Sequence, residues 1–421
     1  MKIALLVTLA LAAPALAQTR LMLSDRARDS MWTLLDANGT WQIPDPAGVV
    51  PYFTIANAQG TQRVDNINAF AVRASDALVV GGDQVTGFIY AWQDINGDGD
   101  AEDPCESRIY ATLPIRSFAF PTGVAFDSLG RLYVCNAGNG FGDDIINRLT
   151  DLNADGDCDD AGEVTPYVAD GFFGPGNGPY SPQEICFLPG GPGGRDILYL
   201  RNSSANLHGV YRFIDLNDNA RADDAGEFNT FFSAANASGV TLSAGFTIEP
   251  DLARPGSLYF LQIATGGVDQ LYRLTDLNGD GDALDAGEAV LVFSTAEAGF
   301  TSVDAVSVPD GSVLITDNSG KRIIRLVDTD ADGTFMSVGD LRTDVLVAAS
   351  LVGDVRQLAL MPEPACVGDY NRSGGTPDDA DVAAFFADWN DAACRADVNG
   401  SGGTPDDADV AEFFERWNAG C

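Results

Sequence analysis

The stretch GVAFDSLGRLYVCNAG (Gly123–Gly138), continued by IINRLTDLNADGDCDDAGEVTPYVAD (Ile145–Asp170), decides the fold. It contains four runs rich in β-branched and aromatic residues, GVAF, RLYV, IINRL and EVTPYV, set apart by Gly, Asp and Asn. Short antiparallel strands joined by turns have this pattern. An acidic segment always joins the third run to the fourth. The same order precedes it in NAFAVRAS, LVVGGD, GFIYAWQD and SRIYATL, and follows it in AVSVPDG, SVLITDN, RIIRLVD and TDVLVA. The acidic segments begin at Asp94, Asp151, Asp215, Asp276 and Asp328, with a weaker copy at Asp36, and fall about 58 residues apart. A fixed period of this size built from short strands points to propeller blades.

The ends of the array set the blade count. The first copy supplies only three strands, near Arg20–Leu23, Met31–Leu35 and Val49–Phe53, while VRQLALM (Val355–Met361) is left over after the last acidic segment. A C-terminal strand that completes the N-terminal blade closes the ring and hides both sheet edges. The prediction is an all-β, six-bladed β-propeller over residues 18–362, with an open β-solenoid as the alternative, which would need no split blade. The string PTGVAFDSLGRLYV (Pro121–Val134) resembles blades of the NHL and SMP-30/gluconolactonase-like superfamily. That resemblance implies a site where the innermost strands meet the channel. Lactonases of that group hold a central divalent metal with Glu, Asn and Asp; this chain has scattered candidates instead of that order.

Alignment of the blades places Asn68, Gln183, Glu184, Asp304 and Arg356 at the channel face. They are candidates for binding an unknown ligand, set against the plainer reading of polar residues lining a wet channel. No catalytic residue is assigned. The chain lacks Gly-x-Ser-x-Gly, a phosphate loop and Cys/His zinc spacing. Its single histidine, His208, lies in the loop before a third strand. An enzyme on this scaffold, a lactonase-type hydrolase or a sugar dehydrogenase, is the rival to a binding protein.

The acidic segments place oxygen ligands at alternate positions around a glycine, as at the start of an EF-hand loop, and hard oxygen donors favour Ca²⁺. The candidate ligands are Asp94, Asn96, Asp98, Asp100, Asp103 and Glu106; Asp151, Asn153, Asp155, Asp157, Asp160 and Glu163; Asp276, Asn278, Asp280, Asp282, Asp285 and Glu288; and Asp328, Asp330, Asp332 and Asp340. The closing acid falls at position 13, where an EF-hand has it at 12, and the loops sit in β-hairpins. The Asp215 copy has Asn219 and Arg221 where the others have Asp, so it is read as weak or empty, and the Asp36 copy as an ordinary turn. The metal-free alternative is a solvated, Asx-rich turn. Several structural calcium ions stapling the blades are expected.

After Pro362-Glu363-Pro364 a second repeat has a period of 28: GDYNRSGGTPDDADVAAFFADWN, then ADVNGSGGTPDDADVAEFFERWN. Each opens a loop with Asp-x-Asn-x-Ser (Asp369, Asn371, Ser373; Asp397, Asn399, Ser401), reaches Asp381 or Asp409, and continues into a helix. Val382, Phe385, Phe386 and Trp389, and Val410, Phe413, Phe414 and Trp417, form apolar stripes at helical spacing. Two such short helices bury their stripes against each other. These units resemble dockerin domains, in the form ending in Gly-Cys found on secreted planctomycete-type proteins. The resemblance implies, for residues 363–421, paired calcium loops and attachment to a cohesin-like or cell-surface partner. Ser at the fifth position and Asp378-Asp379 and Asp406-Asp407 depart from the cellulosomal pattern.

MKIALLVTLALAAPALA (1–17) reads as a secretory signal peptide with a small-residue cleavage site, so a secreted or cell-surface protein is expected. No later apolar run is long enough to span a membrane. The formal net charge of −37 excludes nucleic acid as a partner. Export permits disulfides among the seven cysteines. Cys366 and Cys421 bracket the C-terminal module and are expected to form a clasp, with Cys394 a competitor. Cys105, Cys135, Cys158 and Cys186 allow two bridges with three connectivities.

Overall fold

The structure, a computed structural model, describes residues 19–420 except 37–39, 44–46, 56–63, 114–119, 139–143, 154, 170–180, 204–207, 243–244, 264–267, 296–301, 348–352, 363–365 and 374–375. The expected signal peptide, most of the Pro362–Pro364 linker and Cys421 lie outside the described residues. The described strands form six four-stranded antiparallel sheets. Blade 1 is β1 (Thr19–Asp25), β2 (Ser30–Asp36) and β3 (Val49–Thr54). Blade 2 is β4 (Ile67–Val72), β5 (Val79–Asp83), β6 (Phe88–Trp92) and β7 (Ser107–Thr112). Blade 3 is β8 (Pro121–Phe126), β9 (Leu132–Asn136), β10 (Ile145–Leu149) and β11 (Val164–Val168). Blade 4 is β12 (Pro182–Leu188), β13 (Ile197–Asn202), β14 (Gly209–Phe213) and β15 (Phe228–Ser233). Blade 5 is β16 (Gly245–Pro250), β17 (Ser257–Ile263), β18 (Asp269–Thr275) and β19 (Ala289–Ser294). Blade 6 is β20 (Ser302–Ser307), β21 (Val313–Asp317), β22 (Arg322–Val327) and β23 (Leu341–Val347).

The last strand, β24 (Val355–Met361), pairs antiparallel with β1 and completes blade 1, with Leu21 opposite Leu360 and Leu23 opposite Leu358. The innermost strands β24, β4, β8, β12, β16 and β20 each neighbour the next around the channel, so the ring is closed. The propeller core lies between blades. Leu358 and Val355, for example, pack with Leu21, Leu23, Val306, Leu314 and Ile323 from blades 1 and 6.

A second device, invisible as a motif, ties the blades together at the rim. In each acidic segment the eighth residue is apolar and buried: Ile43, Ala101, Cys158, Ala222, Ala283 and Phe335. Its backbone N–H donates to a carbonyl on the outermost strand of the preceding blade, at Val345, Tyr52, Tyr110, Tyr167, Phe231 and Val292 respectively, over 2.7–3.0 Å. Side chains reinforce this at the sixth-position glycines. Arg108 Nη2 donates to the Gly156 carbonyl at 2.9 Å, Asn229 Nδ2 to Gly281 at 2.7 Å and Arg273 Nη1 to Gly333 at 2.7 Å. Those glycines have φ of 97°, 97° and 87°, a left-handed conformation that β-carbon-bearing residues rarely adopt. Each acidic loop is therefore a plug set into its neighbour. Ala283→Leu is expected to overpack one plug and cost about 1–3 kcal/mol, read as a lower denaturation midpoint with unchanged m-value.

The C-terminal module consists of α1 (Asp379–Asn390) and α2 (Asp407–Ala419). Phe385 and Phe413 stack at 4.2 Å with rings 4° apart, and Trp389 and Trp417 each donate an indole N–H to the carbonyl ahead of the opposite helix, at Asp406 and Asp378. The module rests on blade 2. Arg372 pairs with Asp76 at 3.1 Å, and Asn96 is 5% exposed although its counterparts Asn153, Asn217 and Asn278 are exposed.

The cysteine expectation needs correction. Cys105 is joined to Cys394, linking the blade 2 acidic loop to the module across 289 residues of sequence. Cys135, Cys158 and Cys186 are free and buried. They lie in three different apolar clusters, which separates them from one another. Burial pushes the Cys135 and Cys158 thiols up to about 12, which leaves them unreactive. Cys366 is also disulfide-bonded; its expected partner, Cys421, is outside the described residues.

Candidate functional site

Each innermost strand carries a one-residue bulge near its start. The pairing skips Asn68 in β4, Thr122 in β8, Gln183 in β12, Phe246 in β16 and Val303 in β20, and β24 sets Arg356 and Gln357 against one residue of β1. A bulge re-aims the side chain beside it, and here six of them crown one channel. Asn68, Gln183, Glu184, Asp304 and Arg356 line a single cavity of about 200 Å³, together with Ala69, Gln84, Thr122, Arg201 and Gln357.

The residue after each bulge forms a ring: Glu184, Thr247, Asp304, Gln357, Ala69 and Gly123. Blades 4 and 6 thus supply carboxyls, and blades 1 to 3 supply amide, methyl and hydrogen. The ring is held from the backbone. Asp304 Oδ2 accepts from the Leu358 N–H at 2.7 Å, and Gln357 Oε1 accepts from the Phe70 N–H at 2.6 Å. Thr122 Oγ1 donates to the Pro182 carbonyl at 2.7 Å. At the mouth Arg356 is tied to Asp354 at 3.2 Å, and Gln183 Nε2 donates to Ser181 Oγ at 2.9 Å.

Sequence reasoning missed Arg201. It stands on β13 directly across the register from Glu184 and is 4% exposed, yet its Nε has no hydrogen-bond partner. The signal was present as a lone charge in the apolar strand ILYLRN. His208 lies at the same hairpin end; its buried Nε2 also lacks a partner, and burial and the Arg201 charge push its pKa down.

Glu184 keeps partial exposure and lines the cavity, with its carboxyl deep among protein atoms. Burial first, then repulsion from Asp304 and Glu249, lifts its carboxyl well above the usual range, against the pull of Arg201. Burial pushes Asp304 up to about 7, opposed by the Leu358 N–H, and lifts Glu249, repelled by Asp304, well above its ordinary value. Burial lowers Arg201 to about 10 against the attraction of Glu184. Asp304 lifted to about 7, two further carboxyls raised well above their ordinary range and a buried guanidinium can together bind a polar molecule and move a proton to or from it.

The rim loops share one wrapped conformation. Asp94 accepts from the Gly97 and Gly99 N–H groups, Asn96 from Asp98, and Asp98 from Asp100. Asp276, Asn278 and Asp280 repeat this, and Asp151, Asn153 and Asp155 repeat most of it. Carboxylate oxygens of Asp328, Asp330 and Asp332 lie within 4.8 Å of one another, close enough for one ion. The position-13 acids have a role the sequence did not reveal. Glu106 accepts from the Ile95, Asn96 and Asp103 N–H groups, and Glu163, Glu227, Glu288 and Asp340 do likewise in their loops. Asp381 and Asp409 close the two module loops in the same way. These acids clasp the loop ends, including in the Asp215 loop, where Arg221 instead pairs with Asp223.

The blade 6 loop, where the Asp328, Asp330 and Asp332 carboxylates converge, fits a divalent cation best among the described residues. In the blade 2 loop, covered by the module, burial pushes Glu106 up to about 8 and Asp94 up to about 6, the latter against the attraction of Arg20. A cation there would offset that desolvation.

Neither a family model nor a curated protein sequence matches the chain. Among solved structures, the chain resembles one in a nidogen/laminin complex with a TM-score of 0.52 at 12% identity, covering 82% of this chain and 100% of that one. A putative 6-phosphogluconolactonase from Bacteroides fragilis gives 0.45 at 14% identity, over 83% of this chain and 99% of that one. Regucalcin, a calcium-binding protein from Agrobacterium tumefaciens, gives 0.40 at 12%, over 63% and 71%. Identities this low speak to fold alone. The chain is a six-bladed β-propeller carrying a small two-helix C-terminal module.

Proposed function

We propose that the protein is an exported, calcium-stabilised propeller that binds a small polar ligand at its channel mouth and is displayed through its C-terminal module to a cohesin-like or cell-surface partner. The observation that carries the binding role is the convergence of five channel-face residues and the buried Arg201 on one cavity. The repeated acidic loops and the converging carboxylates of Asp328, Asp330 and Asp332 support calcium, and a disulfide between propeller and module is in keeping with export.

Two measurements test this. After EDTA stripping and Ca²⁺ reloading, metal analysis is expected to find at least about three ions per chain, each contributing on the order of 2.7 kcal/mol at a hundredfold excess over Kd. Fewer ions, or an unchanged melting temperature in EDTA, removes calcium from the account. Gln183→Trp, placed to plug the mouth, is expected to abolish the thermal shift given by any channel ligand while leaving bound calcium unchanged. If ligand shifts survive the plug, the site is elsewhere.

The enzyme reading is favoured by one observation, the lift of Asp304 to about 7, where an acid–base group works best at neutral pH. Asp304→Asn separates the two readings: it abolishes turnover by an enzyme and spares binding by a receptor.

A further inference from the structure

The guanidinium of Arg201 is a buried cation with unfinished bonding. Leaving such a group without an acceptor is costly, and folds retain it where something else supplies one. Glu184 faces it across the β12–β13 register and attracts it, yet the buried Nε is left without a hydrogen-bond partner. We propose that the channel takes a small hydroxycarboxylate, its carboxylate on Arg201 and its hydroxyls on the side-chain amides of Asn68, Gln84, Gln183 and Gln357. This rests on the reading of the mouth as a ligand site and names the ligand's chemistry.

Three features of the cavity favour that class. A guanidinium presents a planar fork that matches a carboxylate with two parallel hydrogen bonds. Side-chain amides both donate and accept, as hydroxyl groups do, and four of them line this cavity. The volume of about 200 Å³ is below the range of drug-sized ligands and suits a molecule of a few carbons. A divalent cation would be drawn to the acids but would leave the Arg201 Nε without an acceptor. A phosphate dianion would meet stronger repulsion from the acids than a monocarboxylate.

The charged groups around the site make binding proton-linked. Glu184 on β12 and Asp304 on β20 line the cavity, and Glu249 on β16 stands close enough for mutual repulsion with both. Arg356 on β24 is already committed to Asp354, and His208 stands near Arg201. With all three acids ionised the anion is repelled. With one protonated, that carboxyl becomes a donor to it, so binding takes up a proton.

The test is calorimetric titration of the full chain with glycerate, its neutral amide and glycerol at pH 6 and pH 8. Glycerate is expected to bind at pH 6 at least tenfold more tightly than either neutral probe, and to weaken by up to about tenfold per pH unit above 7. Arg201→Gln should remove at least tenfold in glycerate affinity, and Arg201→Lys, keeping the charge without the fork, should recover only part. Asp304→Asn, a neutral mimic of the protonated acid, should bind glycerate at pH 8 as tightly as the native protein does at pH 6. This variant answers the question even if Arg201 substitutions unfold the chain. Equal binding of glycerate and its amide, or a pH response unchanged by Asp304→Asn, overturns the inference while leaving a ligand site in place. No binding of any probe also overturns it, and the Gln183→Trp plug then decides whether the mouth is a site at all.

Discussion

Removing Val355–Met361 is expected to abolish cooperative folding of the propeller, because β24 closes the ring and serves two cores. Val355 and Leu358 are each 2% exposed and Met361 8%. The first two pack with blades 1 and 6, while Met361 packs with Phe70 and Val79 of blade 2. Loss of their burial alone costs on the order of 5–9 kcal/mol, at roughly 1.5–3 kcal/mol for each side chain. That is comparable with the whole stability of an ordinary domain, about 5–15 kcal/mol. The deletion also bares the edge of β1 and removes the N–H that Asp304 accepts from Leu358. The deleted chain should show no sharp thermal transition by circular dichroism and should be cut rapidly by protease. A melting temperature equal to that of the full chain would mean that the ring does not depend on its closing strand.

The blade count and the closing strand were legible because each depends on a local pattern repeated around the ring: four β-rich runs, an acidic segment, and one run left over. The channel-face residues were legible for the same reason, since homologous positions can be counted along each blade. What escaped depends on registry between segments distant in sequence. Arg201 matters because β13 sets it opposite Glu184, a relation no spacing encodes. Cys105 meets Cys394 because the module rests on blade 2, a pairing outside the group of Cys105, Cys135, Cys158 and Cys186. The eighth-position plugs lay in plain sight as apolar residues inside acidic loops, but their carbonyl partners sit on the preceding blade. Backbone bonds and the position-13 clasp give the acidic loops their shared shape.

Asp304→Asn is expected to raise the melting temperature of the ligand-free protein by several degrees at pH 8 and by little near pH 4. The Asp304 carboxyl is nearly inaccessible, and its folded pKa of about 7 lies above the value of 3.8 in an unstructured chain. Between those values the native state holds a proton that the unfolded state has released, so stability falls as pH rises through the window and is fully present only below it. Asparagine keeps the acceptor for the Leu358 N–H and never ionises, so the variant escapes the loss. It also relieves Glu184 and Glu249, both of which Asp304 repels. The gain should be a few kcal/mol at most, because water in the channel and relaxation of the coupled acids soften the penalty. Melting curves of both proteins at matched, saturating Ca²⁺ from pH 4 to pH 8 isolate the term, since titration of the rim loops is common to the two. Curves that run parallel across this range would show that Asp304 keeps an ordinary pKa, and the enzyme reading would then lose the observation that favours it. Divergence that opens between pH 4 and 7 and then stays constant would mark a carboxyl kept at a cost to stability, as expected where function needs the charge.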